Sequence, residues 1–329
     1  MQRRHLLGLA GLALPAIAPG LARAQGARDW PNAGPIRLIA QFPPGGLVDT
    51  ISRLIAPPMS QALGQTVLVE NRAGAAGVIG TDFVAKAPAD GYTLLVSHAT
   101  VHVYSAATMP SLPFDPVTDF THMGMLVEAP NVLLVKANSP YKTLADYLNA
   151  AKTKPVRFGS SGIGSAPHLL GVMLGSEAKV TNLDHVPYRG SAPAMQDLMA
   201  EVIESMIDPV TTNVQQIRDG GLRALAVSSP QRLPQLPNIP TFAELGFGKL
   251  TSAQWLGLSG PKNLPQPIVE RITTLIPVLL ETPTLKQRTE ELATVPRNPS
   301  PLGPDFVKAI REDLATWTAI AKQFNIVQS

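Results

Sequence analysis

Residues 36–49 read Ile-Arg-Leu-Ile-Ala-Gln-Phe-Pro-Pro-Gly-Gly-Leu-Val-Asp. Ile36 to Phe42 is short, mostly apolar and partly β-branched, the pattern of a buried strand. Pro43 to Gly46 stops it. Apolar residues then recur at Ile51, Leu54, Ile55, Met59, Ala62 and Leu63, which share one face of a helix. Pro57-Pro58 predicts a break or kink in that helix. A strand is expected at Val67 to Glu70. Gly74, Gly77 and Gly80 lead towards a helix over Val78 to Ala87. The Asp90-Gly91 turn precedes another strand, Tyr92 to Ser97. This alternation of strand and helix predicts an α/β fold with substantially parallel strands.

The alternation resumes further on. A strand is expected at Val132 to Lys136, and a helix at Leu144 to Lys152 capped by Thr143. Val156 to Ser160 reads as a strand running into Ser161-Gly162-Ile163-Gly164-Ser165, with a helix across His168 to Ser176. Asp184 to Tyr188 reads as extended, Ser191 to Ala200 as helical and Ile203 to Ile207 as a strand. Thr212 to Arg218 reads as a helix stopped by Gly220-Gly221, and Arg223 to Ser228 as a strand. The tail holds helical stretches near Pro267 to Glu281, Thr284 to Ala293 and Pro304 to Phe324, with Pro277 disturbing the first. It does not easily form an independent domain and is expected to pack back on the first α/β stretch. The result is a discontinuous two-lobed protein. Residues 25–125 with 226–329 form one lobe and 126–225 the other, with crossings near 125–131 and 222–229.

Composition supports a folded chain. The 329 residues are 45% hydrophobic and 16% charged, enough to bury a core, which excludes a disordered polyelectrolyte or a fibrous repeat. The 32 prolines form no low-complexity run, so they punctuate the fold. Lys and Arg number 27 against 24 Asp and Glu, but Arg3, Arg4 and Arg23 account for the whole excess. The rest of the chain is balanced and offers no argument for a nucleic-acid partner. Those three arginines lie in a leader. Arg3-Arg4 opens a positive region, Leu6 to Leu21 is almost wholly apolar, and Ala22-Arg23-Ala24 gives the small-residue pattern of signal-peptidase cleavage. Gly8, Gly11, Pro15, Pro19 and Gly20 make it a poor membrane span. Arg3-Arg4-His5-Leu6-Leu7 also permits twin-arginine export. There is no cysteine, which excludes disulfides, thiolate metal sites, a cysteine nucleophile and a lipoprotein anchor. A bacterial periplasm fits these features.

Two glycine-rich strand-to-helix turns carry the candidate chemistry, one in each expected lobe: Phe42 to Asp49, and Ser160 to Ser165. Such turns expose backbone N–H groups at a helix N-terminus, where the dipole favours an anion. Ser160, Ser161 and Ser165 add hydroxyl donors. Either turn alone is more simply a tight connection with a capped helix; their matched placement favours binding. Asp49 is a poor anion ligand and reads as an anchor for its own loop. Asp208 reads as an acceptor for loop N–H groups or for a ligand amine. Arg189 reads as a carboxylate partner, a surface charge or a partner for Asp208, and Tyr188 as a cleft wall or core. His98 and His102, four apart, would share a helix face, but no further metal ligands can be named, so no metal is expected. Ser165 and His168 suggest a nucleophile and base, yet no G-x-S-x-G elbow or orienting acid accompanies them. The spacing of Gly74, Gly77 and Gly80 does not match a dinucleotide fingerprint, and no cofactor is expected.

The motifs in order resemble the tripartite tricarboxylate transporter receptors, the Bug-type periplasmic solute-binding proteins. The resemblance runs from Pro35-Ile36-Arg37-Leu38-Ile39 and Phe42-Pro43-Pro44-Gly45-Gly46 with Asp49, through Val69-Glu70-Asn71-Arg72, to Ala89-Asp90-Gly91-Tyr92-Thr93-Leu94-Leu95. It continues with Leu112-Pro113-Phe114-Asp115-Pro116, Asp119-Phe120, Gly162, Gly164, Ser165 and His168. Tyr188-Arg189-Gly190, Pro240-Thr241, Glu244, Gly246 and Trp255 complete it. It implies a type II periplasmic-binding fold, two α/β lobes closing on a small solute. It implies that Pro44, Gly45 and Gly46 of one lobe and Ser160, Ser161, Gly164, Ser165 and His168 of the other grip a ligand carboxylate. By the same resemblance Ser97 and Thr100 contribute to the cleft, and Tyr188, Arg189 and Asp208 flank it. Asn71-Arg72-Ala73-Gly74 departs from the family's Asn-Arg-Pro-Gly. Segment 97–102 is richer in histidine than the family pattern.

The expected function is therefore a monomeric periplasmic receptor that holds a small organic carboxylate for the membrane subunits of a tripartite tricarboxylate transporter, without catalysis. The alternatives are an exported serine hydrolase using Ser165 and His168, and a module that presents its ligand to a sensor kinase. The leader reading is checked by N-terminal sequencing of the exported protein, which should begin at Gln25.

Overall fold

The computed structural model describes residues 30–327 except 296 and 298. The expected leader and its cleavage after Ala24 lie outside the described residues. Nine strands form one mixed sheet: β1 Ile36–Ala40, β2 Val67–Asn71, β3 Thr93–His98, β4 Phe120–Lys136, β5 Val156–Ser160, β6 Leu183–Pro187, β7 Ser205–Pro209, β8 Leu222–Val227 and β9 Ala253–Pro261. Their order is β2-β1-β3-β9-β4-β7-β5-β6, with β8 also paired to β4. The outer pairs, β1 with β2 and β3 and β5 with β6 and β7, are parallel as the alternation predicts. The inner pairs made by β4 and β9 are antiparallel.

Strand β4 divides the sheet. Its first part, Phe120 to Pro130, pairs with β9; its second, Asn131 to Lys136, pairs with β7 and β8. Only Val132 to Lys136 is expected from the pattern; the strand in fact starts at Phe120 and runs straight through the expected crossing. The chain crosses again between β8 and β9. There the two crossings are joined by hydrogen bonds: Asn131 N–H donates to Ser228 Oγ (2.9 Å), and Ser228 Oγ–H to Ser252 O (2.6 Å). Gln254 Nε2 donates to Asn131 Oδ1 (3.3 Å). Asn131 and Ser228 are buried.

The helices are α1 Leu47–Leu63, α2 Val78–Ala85, α3 Leu144–Ala151, α4 Ala166–Glu177, α5 Ser191–Met199, α6 Val214–Arg218, α7 Gln266–Leu280, α8 Pro283–Glu291 and α9 Pro304–Gln323. The break expected at Pro57-Pro58 is absent; α1 continues through both prolines. Ile51, Ile55, Met59 and Leu63 are buried beneath it while Pro57 is exposed, so the missing backbone bonds fall away from the core. Pro277 sits the same way on the exposed side of α7. Thr143 caps α3 as expected, reciprocally with Asp146. Helices α7 and α8 pack back on α1, as the tail is expected to do. Helix α9 does more: it also packs against α4 of the other half. Trp317 meets Tyr104 edge-on, and Trp255 Nε1–H donates to Asp313 Oδ2 (3.0 Å). One core cluster accordingly runs from Phe158 and Leu169 to Trp255, Phe306 and Trp317.

Strand β9 is not foreseen by the pattern reading, because Gly257 and Gly260 lower its β-propensity. Gly257 is required by packing: a Cβ there would lie 2.4 Å from the Phe306 ring and 2.7 Å from Gly124 O. Backbone on one side leaves no room to yield. Gly257→Ala should therefore cost about 3 kcal/mol by overpacking, read as a lower urea midpoint at an unchanged m-value.

Candidate ligand-binding cleft

A cleft of about 790 Å³ lies where the two halves of the sheet meet, a volume in the range of small-molecule sites. Phe42, Ala76, Thr100 and Ser105 line one side. Ser161 to Pro167, Pro187, Tyr188, Arg189, Ser191 and Pro209 line the other, and Gln254 lies between. Of the residues expected to bind, the structure brings Thr100, Ser161, Gly164, Ser165, Tyr188 and Arg189 to this wall. Pro44, Gly45 and Gly46 are exposed on the β1–α1 loop and do not line it. Ser97 is buried and accepts from Ser259 Oγ (2.9 Å). Ser160, His168 and Asp208 are buried behind the lining.

The two glycine-rich turns are built differently. In the first, Gly45 N–H donates to Asp49 Oδ2 (2.9 Å), while Arg53 Nε and Asn71 Nδ2 donate to Oδ1. Burial alone would raise the Asp49 pKa, but the bonds from Arg53, Gly45 and Asn71 outweigh it and hold the carboxyl below its ordinary range. Asp49 thus anchors its own loop with an internal carboxylate.

The second turn is braced from behind by neutral groups. Ser165 is the N-cap of α4: its Oγ–H donates to Gly162 O (2.7 Å), and it accepts from His168 N–H (3.4 Å). Gly164 N–H donates to His168 Nδ1 (3.1 Å), which places the ring proton on Nε2. His168 stacks on His185 at 3.8 Å and 15°. His185 Nε2 bonds Ser160 Oγ (2.7 Å), which also bonds Gly162. Burial lowers the His168 pKa to about 4; burial and the neighbouring His168 lower that of His185 to about 3. The Ser165 hydroxyl proton is directed at a carbonyl, and the His168 nitrogen facing the turn is occupied by Gly164. The two side chains therefore do not form a nucleophile–base pair.

His98 and His102 do not lie on one helix. His98 ends β3, its Nδ1 accepting from Thr100 N–H (3.1 Å). His102 lies in a π-helix, Thr100–Ser105, with Nδ1 bonded to Pro116 O (2.9 Å). Among the described residues no group of three or more His, Cys, Asp or Glu could hold a metal ion. The π-helix is what places both Thr100 and Ser105 on the cleft. Sequence reasoning passes over Ala76, Ser105, Ile163, Ser191 and Gln254. Ser105 depends on the π-turn, and Gln254 on a strand whose glycines hide it.

Arg189 is exposed at the mouth and has no ion-pair partner among the described residues. Tyr188 O–H donates to Asp197 Oδ2 (2.7 Å). Asp208 is capped from three sides: Ser191 Oγ donates to Oδ1 (2.5 Å), and Thr212 Oγ1 (2.6 Å) and Asn213 Nδ2 (2.8 Å) donate to Oδ2. Burial raises its pKa, and these three bonds oppose the rise.

This is a two-lobed α/β binding fold with a polar cleft at the junction of its lobes. Residues 51–326 match the family described as "Tripartite tricarboxylate transporter family receptor", and the chain belongs to that family. It is 41% identical over 290 residues to the UPF0065 protein in the tcbD-tcbE intergenic region of Pseudomonas sp. (strain P51), covering 86% of this chain and 84% of the relative. A Rhodopseudomonas palustris protein solved with adipate superposes with a TM-score of 0.79 at 31% identity, covering 91% of this chain and 99% of the other. MatC of Rhodopseudomonas palustris, solved with bound malate, gives 0.75 at 29%, covering 88% and 99%. The type II periplasmic-binding fold implied by the resemblance holds. The family is one of periplasmic solute-binding receptors, and no helix among the described residues is long and apolar enough to cross a membrane.

His98, His102, His122, His168 and His185 all have pKa values lowered to about 3 or 4, first by burial. In the unfolded chain each returns to its ordinary value of 6.5. Below that pH the unfolded state takes up protons that the folded state refuses. Stability present above pH 6.5 should fall as pH drops towards 4, by up to ~1.4 kcal/mol per pH unit for each histidine. Urea titrations from pH 7 to 4.5 check this. His168→Phe should flatten the slope and cost about 1–3 kcal/mol at pH 7, since Gly164 N–H loses its acceptor.

Proposed function

We propose that this protein is a monomeric, non-catalytic receptor that captures a small organic carboxylate between its lobes and delivers it to the membrane subunits of a tripartite tricarboxylate transporter. The observation that carries this reading is the convergence of donors on one wall of the cleft. The N-terminus of the 12-residue helix α4, the hydroxyls of Ser161 and Ser165, and the unpaired Arg189 all face the same space. A helix N-terminus favours negative charge, and a guanidinium fits a carboxylate with two parallel bonds. Thr100, Ser105 and Gln254 hydrogen-bond the rest of the ligand.

Malate and adipate in the two Rhodopseudomonas palustris structures are carboxylates, which supports the same chemistry here. The occupied hydroxyl of Ser165 supports binding over hydrolysis. The lobes part at the joined crossings, Asn131 on β4 and Ser228 to Ser252 beyond β8. Closing rotates the β1–α1 loop, with Pro44, Gly45 and Gly46, towards the second turn. The leader exports the chain to the periplasm.

Native mass spectrometry of the exported protein, with release of trapped small molecules, should yield a carboxylate. Malate, adipate and other carboxylates should be screened by thermal shift. A ligand at 100 times its Kd adds about 2.7 kcal/mol to stability. No shift with any carboxylate would overturn the reading. Arg189→Ala should weaken the best ligand roughly tenfold, about 1.4 kcal/mol, with little change in the unliganded melting temperature.

A further inference from the structure

We infer that Asn131 is a positioning residue for solute capture: acting through Gln254, it links contact with the solute in the cleft to the crossing about which the lobes close. The inference rests on the receptor reading above and deepens it.

The sheet brings two amides together. Gln254 on β9 pairs with Ala129 on β4, and Asn131 follows two residues further along β4. Residues two apart on a strand share a face, so Asn131 is the diagonal neighbour of Gln254. At Asn131 the strand has changed partner and pairs with Pro209 of β7. Gln254 and Pro209 both line the cleft. Asn131 is fully buried and adjoins both of them.

Hydrogen bonds then run from the cleft to the crossing. Thr100 Oγ1 donates to Gln254 Oε1 (3.4 Å), and Gln254 Nε2 donates to Asn131 Oδ1 (3.3 Å). The backbone of Asn131 is committed to the second crossing: its N–H donates to Ser228 Oγ (2.9 Å), and its carbonyl accepts from Ser228 N–H (2.9 Å). Ser228 holds Ser252 in the same way, its Oγ donating to Ser252 O (2.6 Å) and its carbonyl accepting from Ser252 N–H (2.9 Å). The bonds at the crossing have ordinary lengths, whereas both bonds of Gln254 are longer than the usual range. Gln254 is thus held loosely by a neighbour that is itself held firmly. A solute that engages the Gln254 amide draws it against Asn131 and so acts on the crossing. Buried amides are normally satisfied. Asn131 Nδ2 has no partner among the described residues and is the donor left for the closed form.

The test is calorimetric titration of the exported protein with malate and with adipate, with dissociation followed by stopped flow. Asn131→Leu and Asn131→Ala should each weaken the tighter-binding of the two about tenfold, the scale of one hydrogen bond, chiefly through faster dissociation. Gln254→Met should do the same. Added to Gln254→Met, Asn131→Leu should cost no further affinity, because it acts through that side chain. An additive loss of about a hundredfold in the double variant would make Asn131 independent of Gln254 and overturn the inference. So would a lower melting temperature with unchanged affinity in Asn131→Leu or Asn131→Ala, the mark of a purely structural residue. Small-angle X-ray scattering gives a readout that needs no change at Asn131. The solute should compact the unsubstituted protein, and Gln254→Met should bind at saturation with less compaction. Equal compaction would overturn the coupling while leaving the receptor reading intact. Binding of no carboxylate by the unsubstituted protein would overturn the receptor reading and this inference with it.

Discussion

One continuous strand holds the two halves of the sheet to a common frame. The 17 residues of β4 span roughly 55 Å of extended backbone; the first part closes one half against β9, and the second lies between β7 and β8 in the other. Neither half can lose β4 without exposing unpaired backbone, so the strand keeps the halves joined at the point where its partners change. Pro130 and Asn131 occupy that point, and Ser228 and Ser252 lie against it. The buried bonds among these residues tie the two crossings into one unit. Helix α9 packs on both halves as well. The closure proposed above would turn the two walls of the cleft about this joined point.

The walls carry unequal electrostatics. The first turn has already spent one of its amides on Asp49. The second is supported by uncharged imidazoles and hydroxyls at its back, so no internal anion competes for its front. Neutral bracing suits this purpose: a protonated His168 would lose the lone pair that Gly164 uses, and a carboxylate in its place would repel the ligand. The burial that keeps these histidines neutral thus fits the anion-binding role proposed for the loop.

Much of this was legible in the sequence. The alternating pattern located nearly every outer strand and helix, because β1, β3 and β5 are buried runs bounded by glycine and proline. The Ser160 to Ser165 turn was readable for the same reason. The central strands were not. β9 contains two glycines, and the value of Gly257 lies in its contacts with Phe306 and Gly124, far away in sequence. β4 is apolar for most of its length, so its period gives no boundary. Prolines 57, 58 and 277 misled because local propensity says nothing about which side faces water. Within the cleft, Thr100 and Arg189 sit where motif reasoning put them at the wall. Ser97 and Asp208 point into the protein, and a sequence does not record which way a side chain at a strand end faces. Ser105 and Gln254 were silent because their positions depend on the π-turn and on β9.

That π-turn ties the lining of the cleft to chain length. A π-helix holds one residue more per turn than an α-helix. Thr100 and Ser105, five positions apart, reach the same cavity because of that surplus residue. Wound as an ordinary α-helix, the same residues would put Thr100 and Ser105 about 140° apart. A one-residue deletion between them would instead leave them at i and i+4, on one face with no π-turn. The six residues of this segment therefore line the cleft at both ends only with this winding.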